Sequence, residues 1–194
     1  MLASLTVSHQ QRFLLATIAV LASFLSIIIT PVQAFAASAR ELNAQVQDTL
    51  VKFRSEVPGG SAVLSKAKGV LVLPKIYKAG MGVGVEYGEG ALLVGGRTVD
   101  YYNMAAGSMG WQLGAQKKSL VMIFLDGQAL EGFRLSRGWK AGVDASIAVI
   151  KAGAEASLGT DVYNRPIVAY VVDQKGLMVD FSLEGAKFSK INKR

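Results

Sequence analysis

The sequence predicts an α+β fold, with helices at the front packed on a glycine-rich antiparallel sheet or barrel-like core. Three observations carry this. Apolar residues recur at three- and four-residue steps between residues 39 and 54. All 21 glycines lie between Gly59 and Gly185. Among those glycines stand short runs of Val, Leu, Ile and aromatic residues, the pattern of many strands joined by tight turns.

Residues 1–36 are set apart from this domain by composition. Arg12 is their only charged residue, and an apolar run from Phe13 to Ile29 follows it, broken only by Thr17, Ser23 and Ser26. After Pro31 come two small-x-small sites, Val32-Gln33-Ala34 and Ala34-Phe35-Ala36. A positive start, an apolar middle and an A-x-A-like end are the parts of a secretory signal. The run is long enough that an uncleaved N-terminal anchor stands as the alternative. The expectation is an exported, periplasmic protein with a signal peptide over 1–36 and a single domain over 37–194.

Within the domain, Leu42, Val46, Leu50 and Phe53 mark the buried face of an amphipathic helix over 39–54. Pro58-Gly59-Gly60 stops it. Ser61 is then expected to cap a short helix over Ala62 to Lys68. From Gly69 onward the period changes to two. Strands are expected at Val70 to Pro74, Gly80 to Tyr87, Ala91 to Gly95, Met109 to Ala115, Leu120 to Leu125, Val143 to Ile150, Ile167 to Val172 and Leu177 to Leu183. Asp126-Gly127 opens the one later helix expected, Gln128 to Leu135. At Gly80, Gly82 and Gly84 the larger Met81, Val83 and Val85 share one side. The opposite side is left bare for a packed helix or a ligand to approach.

The residue inventory excludes much chemistry. The chain has no cysteine, and its one histidine, His9, lies in the signal region. A Ser-His-Asp triad, a thiol nucleophile and the usual His/Cys zinc site are therefore ruled out of the domain. Glu86 and Glu89 are the nearest carboxylate pair, but in an expected hairpin they face solvent rather than each other. Ser65-Lys66-Ala67-Lys68 fits S-x-x-K, yet neither S-D-N nor K-T-G occurs. Gly80-x-Gly-x-Gly lacks the spacing and the following helix of a dinucleotide site. No catalytic residue, cofactor or metal is expected, and export argues against nucleic acid.

Charge supplies a positive signal. Setting Arg12 aside leaves 20 basic against 14 acidic residues, a net charge of +6. Arg40 to Lys78 holds seven basic and three acidic residues, and Lys187 to Arg194 four basic and none acidic. Lys66, Lys68, Lys75 and Lys78 surround Ile76 and Tyr77, near Arg40, Lys52 and Arg54 in sequence. Lysines meeting phosphates while an apolar tip enters the headgroup layer suit a membrane interface. Ile76 and Tyr77 in the core is the competing reading.

Several blocks resemble one family. Ala67-Lys-Gly-Val-Leu-Val-Leu-Pro-Lys-Ile-Tyr-Lys-Ala-Gly-Met-Gly-Val-Gly is similar to the opening signature of the SYLF domain, also called the Ysc84-type lipid-binding and actin-binding domain. Gly90-Ala-Leu-Leu-Val, Gly110-Trp-Gln-Leu-Gly-Ala-Gln, Gly138-Trp-Lys-Ala-Gly-Val-Asp-Ala-Ser and Lys175-Gly-Leu-Met-Val-Asp-Phe-Ser-Leu-Glu-Gly follow in the family's order. The resemblance runs from about Ala39 to Asn192. It implies a non-enzymatic lipid-binding domain. Eukaryotic relatives bind phosphoinositides, and some bind actin beside an SH3 or FYVE module that is absent here. An exported bacterial-type chain meets neither actin nor, ordinarily, phosphoinositides. The expected partner is therefore anionic phospholipid or a phosphoinositide-like headgroup. Charge placement puts the contacts at Arg40, Lys52, Arg54, Lys66, Lys68, Lys75, Lys78, Lys117 and Lys118. The alternative is an envelope scaffold that binds a protein partner through its glycine-faced sheet.

Overall fold

The computed structural model describes residues 38–110, 117–150, 160–173, 176–177 and 183–193. The signal reading over 1–36, the Gly110-Trp block beyond Gly110 and most of the Leu177–Leu183 strand lie outside them.

Helix α1, Ala39–Glu56, begins where Ser38 accepts the Glu41 N–H at 3.2 Å. It buries Leu42, Val46, Leu50 and Phe53. It ends because Val57 precedes Pro58 and takes an extended conformation, φ −98° and ψ 112°. Helix α2 is Gly60–Ser65, shorter than expected and capped by Gly59 at φ 71° rather than by Ser61. Its start is set by packing. A Cβ at Gly60 would lie 2.9 Å from the Phe53 carbonyl oxygen, so only glycine sits against the last turn of α1.

Strand β1 runs unbroken from Gly69 to Val94, 26 residues where the sequence suggested three shorter strands. The glycines let it bend instead of ending it. Its first part pairs with β3 (Lys117–Phe124), from Gly69 opposite Phe124 to Tyr77 opposite Lys117. Its second part pairs with β2 (Arg97–Gly110), from Gly82 opposite Gly110 to Val94 opposite Arg97. The register slips between Leu73 and Ile76, where Pro74 has no N–H to give the ladder. The two parts of β1 meet face to face. A Cβ at Gly90 would lie 2.1 Å from the Val72 carbonyl oxygen, and one at Gly88 2.8 Å from that of Lys75. The bare face made by these glycines is therefore filled by β1 itself, and the sheet curls into a half-barrel. Gly95 and Gly96, at φ 58° and 77°, form the tight turn into β2.

The remaining elements are α3 (Gly127–Leu135), β4 (Trp139–Lys140), β5 (Ala148–Ile150), α4 (Thr160–Tyr163), β6 (Ile167–Asp173), β7 (Gly176–Leu177) and β8 (Lys187–Ile191). The eight-stranded sheet has the order β4-β8-β2-β1-β3-β6-β5, with β7 also on β6. The expected antiparallel sheet is mixed, because β5 pairs with β6 in parallel. Asp126 caps α3 as its position suggested, accepting the Ala129 N–H at 2.8 Å. β8 was hidden in the basic tail, where Phe188 alternates into the core between exposed Lys187 and Lys190.

Two apolar layers hold the sheet. The inner one joins Leu71, Leu73, Ile76, Leu92, Tyr102, Met104, Leu120, Met122 and Phe124 to Leu130 and Phe133 of α3, with Trp139 and Phe188. Phe133 stands at its centre, 4.7 Å from Tyr102, 4.9 Å from Phe124 and 5.3 Å from Trp139 between ring centroids. The outer layer packs Val46, Leu50 and Phe53 of α1 on Val72, Ala91, Leu93, Val121, Ile123 and Tyr170. The half-barrel is thus filled by its own side chains, and α1 lies across its outer face.

Candidate functional site

The basic residues singled out by charge separate into groups. Arg40 and Arg54 stand at opposite ends of α1, about 21 Å apart along the axis. Lys52 pairs with Glu56 at 3.6 Å on the exposed side of the same helix. Lys66 and Lys68 lie on the connection from α2 to β1, with Lys66 Nζ 3.7 Å from the centroid of the Tyr163 ring. Lys75 and Lys78 lie farther along β1, about 20 Å from that connection at strand rise. Lys117 opens β3 opposite Tyr77.

Lys118 is not a surface contact. Its ammonium donates to Glu86 Oε1 at 2.7 Å, and both side chains are almost fully buried. Burial lowers the Lys118 pKa, an effect partly offset by the Glu86 carboxylate and reinforced by the charge of Lys78. The pair ties the second part of β1 to β3 and so closes the curl. Glu86 and Glu89 do not face solvent in a hairpin, as their sequence position suggested. Glu86 is buried mid-strand. Glu89 accepts from Lys193 Nζ and from the Tyr87 hydroxyl at 3.0 Å. Two neighbouring carboxylates are thereby committed to structural ion pairs. Ile76 is fully buried, so it offers no apolar tip to a membrane. No group of three or more His, Cys, Asp and Glu side chains fit to hold a metal occurs among the described residues.

A more coherent surface follows from helix geometry. At about 100° per residue, Arg40, Ala44, Gln47, Val51 and Arg54 fall on one flank of α1. All five are exposed, Val51 at 62%. This flank is distinct from the face that packs on the sheet. Its order is a cation, a small residue, a neutral amide, a branched apolar residue and a second cation. No carboxylate interrupts it. Charge counting named the arginines but missed Val51. The missed signal was an apolar residue set off the buried period of the helix, three positions before an arginine on the same flank.

The flank leads into a cleft of about 200 Å³. Leu50 and Arg54 of α1, Leu64 of α2, Ala67, Gly69, Val70 and Leu93 line it, with Gly95 and Gly96 of the turn. Lys66 and Lys68 flank Ala67 in the chain, and exposed Arg97 leaves the turn. The helix end, the α2–β1 connection and the β1–β2 turn thus meet around one apolar depression, with Arg54 in its lining and Lys66 and Lys68 on the connection beside it. Neither Arg54 nor Lys68 has a charged partner among the described residues. The lining contains no acidic residue.

Residues 105–193 match the family described as Ysc84, Las17-binding protein actin regulator. Over those residues the chain resembles a Ysc84, or SYLF, domain. The family is one of lipid- and actin-binding proteins. The match begins within β2, so α1 and the cleft lie ahead of it. A second similarity reaches farther. Beta cell expansion factor A of Aeromonas veronii is 24% identical over 150 residues, 76% of this chain and 55% of that protein. The chain therefore spans about half the length of that relative.

Proposed function

We propose that this SYLF domain is a non-catalytic, peripheral lipid-binding module of an exported protein, and that it rests on anionic membrane through the outer flank of α1. The single observation that carries the reading is Val51, exposed between Arg40 and Arg54 on one helix flank that runs into the basic-rimmed cleft. Lys66, Lys68 and Arg97 extend the cationic margin. Each such cation near an anionic surface contributes about 1 kcal/mol, so four or five give reversible attachment. The address is periplasmic, and the ligand class is anionic phospholipid.

The test is co-sedimentation of the protein, purified from cells expressing the full chain, with phosphatidylcholine vesicles lacking or containing phosphatidylglycerol, at low and high salt. Binding that requires phosphatidylglycerol and weakens with salt supports the reading, as does its loss on charge reversal at Arg40 and Arg54. Binding indifferent to lipid charge and to both arginines overturns it.

A second reading rests on a different surface. On the outer face, beyond the stretch covered by α1, Val85 stands opposite Gly107 and Tyr87 opposite Ala105. All four are exposed, Val85 at 60%. This exposed patch, with small residues opposite Val85 and Tyr87, suits an envelope protein partner. Crosslinking in cells distinguishes the two, since a scaffold keeps one dominant partner after detergent removes lipid, and Val85→Asp releases it.

A further inference from the structure

We propose that the cleft beside Arg54 is a subsite for one phosphate group carried on glycerol, the headgroup end of a glycerophospholipid. The inference rests on the membrane reading above and says which part of the lipid is recognised, and where.

Size limits the ligand first. The cleft holds about 200 Å³, below the roughly 300–1,000 Å³ of pockets that enclose a whole small molecule. It admits a phosphate and the carbons beside it, not an acyl chain. Among the described residues the interior of the half-barrel is packed by Tyr102, Phe124, Phe133, Trp139 and Phe188. A carrier that swallows a lipid needs an open interior. This domain instead reads a lipid whose tails stay in the bilayer.

Chemistry limits it next. The Arg54 guanidinium is exposed and has no carboxylate or hydrogen-bond partner among the described residues. Its planar fork matches two oxygens of one phosphate. Lys66 and Lys68 beside Ala67 add positive field without a second fork, so one phosphate is favoured over a multiply phosphorylated ring. Leu50, Leu64, Val70 and Leu93 give walls that suit glycerol carbons rather than more charge. The turn contributes open backbone. Gly95 and Gly96 both have positive φ, and a Cβ at either would meet nothing within 4 Å. The rim is therefore low on the side where a headgroup enters. Val51, on the adjoining turn of α1 and outside the cleft lining, would lie at the level of the upper acyl carbons.

The experiment is NMR of the full-length protein, following the Arg54 side-chain N–H and the amides of Ala67, Gly69, Gly95 and Gly96. The probes are glycerol 3-phosphate, dihexanoyl phosphatidic acid and inorganic phosphate. Expected are saturable shifts at these positions with the two glycerol compounds, and inorganic phosphate weaker by about tenfold because it forgoes the apolar wall. Arg54→Lys weakens the glycerol compounds by about tenfold through loss of the fork. Ala67→Leu abolishes the shifts by filling the cleft while Arg54 remains. Val51→Ser leaves glycerol 3-phosphate binding intact and lowers vesicle binding. Vesicle binding without shifts at these positions overturns the subsite and leaves the membrane reading standing. Loss of both overturns both. Inorganic phosphate binding as tightly as the glycerol compounds overturns the assignment to a lipid headgroup.

Discussion

Replacing Glu86 by Gln leaves the Lys118 ammonium without its carboxylate at a site where each residue is 6% exposed. The magnitude follows from the geometry. The Nζ to Oε1 distance is 2.7 Å and the pair is shielded from water, a setting in which removing one partner costs about 3–5 kcal/mol. Lys118 can relieve the loss by giving up its proton. At pH 7 that route costs no more than about 5 kcal/mol, at 1.36 kcal/mol for each pH unit below 10.5. Glu86→Gln is therefore expected to lose about 3–4 kcal/mol, read as the urea midpoint of Trp fluorescence, with Trp139 in the core as reporter. The deficit should shrink as pH rises toward 10.5, because the Lys118 pKa is already lowered. Below 10.5 the unfolded chain then binds more protons than the folded one, and stability climbs with pH. Glu86→Leu combined with Lys118→Met should restore stability to within about 1 kcal/mol of the parent. That double variant should also bind vesicles like the parent, since Lys118 does not reach the surface. A Glu86→Gln cost of only about 0.3–0.5 kcal/mol, the size expected for the exposed Lys52–Glu56 pair, would refute the claim that this ion pair closes the curl.

Gly90→Ala pushes a methyl to 2.1 Å from the Val72 carbonyl oxygen, with backbone on both sides, and is expected to cost about 3 kcal/mol or more in urea unfolding. Gly107→Ala, where a Cβ meets nothing within 4 Å, should stay within about 0.5 kcal/mol. The Tyr170 hydroxyl is buried without a hydrogen-bond partner among the described residues, and burial pushes its pKa up to about 12. The unfolded chain therefore releases that proton first, so stability should fall by about 2.7 kcal/mol between pH 10 and 12. Tyr170→Phe should flatten that fall and be neutral or stabilising at pH 7, a reading that a clear loss at pH 7 would contradict. Val51→Asp should reduce binding to phosphatidylglycerol vesicles several-fold, to about the effect of removing one arginine from the flank, without moving the urea midpoint.

Local period was legible in the sequence, and long-range approach was not. The face of α1 that packs on the sheet, its end at Pro58 and the Asp126 cap of α3 follow from residues within one or two turns of each other. The glycine series was read as a set of breaks because a strand glycine usually marks a bend or a gap. In β1 those glycines let one strand fold over its own beginning, and nothing near Gly90 in sequence announces Val72. β8 was missed for a related reason. Three lysines and an arginine in eight residues look solvated, while the Phe188 that makes a strand of them is a single alternating position. Among the candidate site residues, Arg54 lines the cleft, Lys66 and Lys68 stand on the connection beside Ala67, and Arg40 shares the flank. Lys75, Lys78 and Lys117 lie elsewhere on the sheet. Charge has no direction in a sequence, so Lys118 counted the same as Lys68 although one points into the curl and the other into water.

That contrast bears on how such a domain changes its ligand without losing its fold. The pairs that stabilise the curl, Lys118 with Glu86 and Lys193 with Glu89, sit at inward or covered positions where the fold brings distant parts of the chain together. Altering one of them costs stability at once. The cations offered for binding stand on a helix flank and two connections, where no described carboxylate depends on Arg54 or Lys68 and surface substitutions cost little. Net charge on that flank can therefore be raised, lowered or regrouped while the half-barrel stays intact. One consequence is directly measurable. Exchanging Arg40, Arg54 and Lys68 together for Gln should abolish attachment to anionic vesicles and shift the urea midpoint by less than the single Glu86→Gln change. Comparable losses from the two variants would mean that the flank is held by interactions within the fold, and the division between binding charge and structural charge would fail.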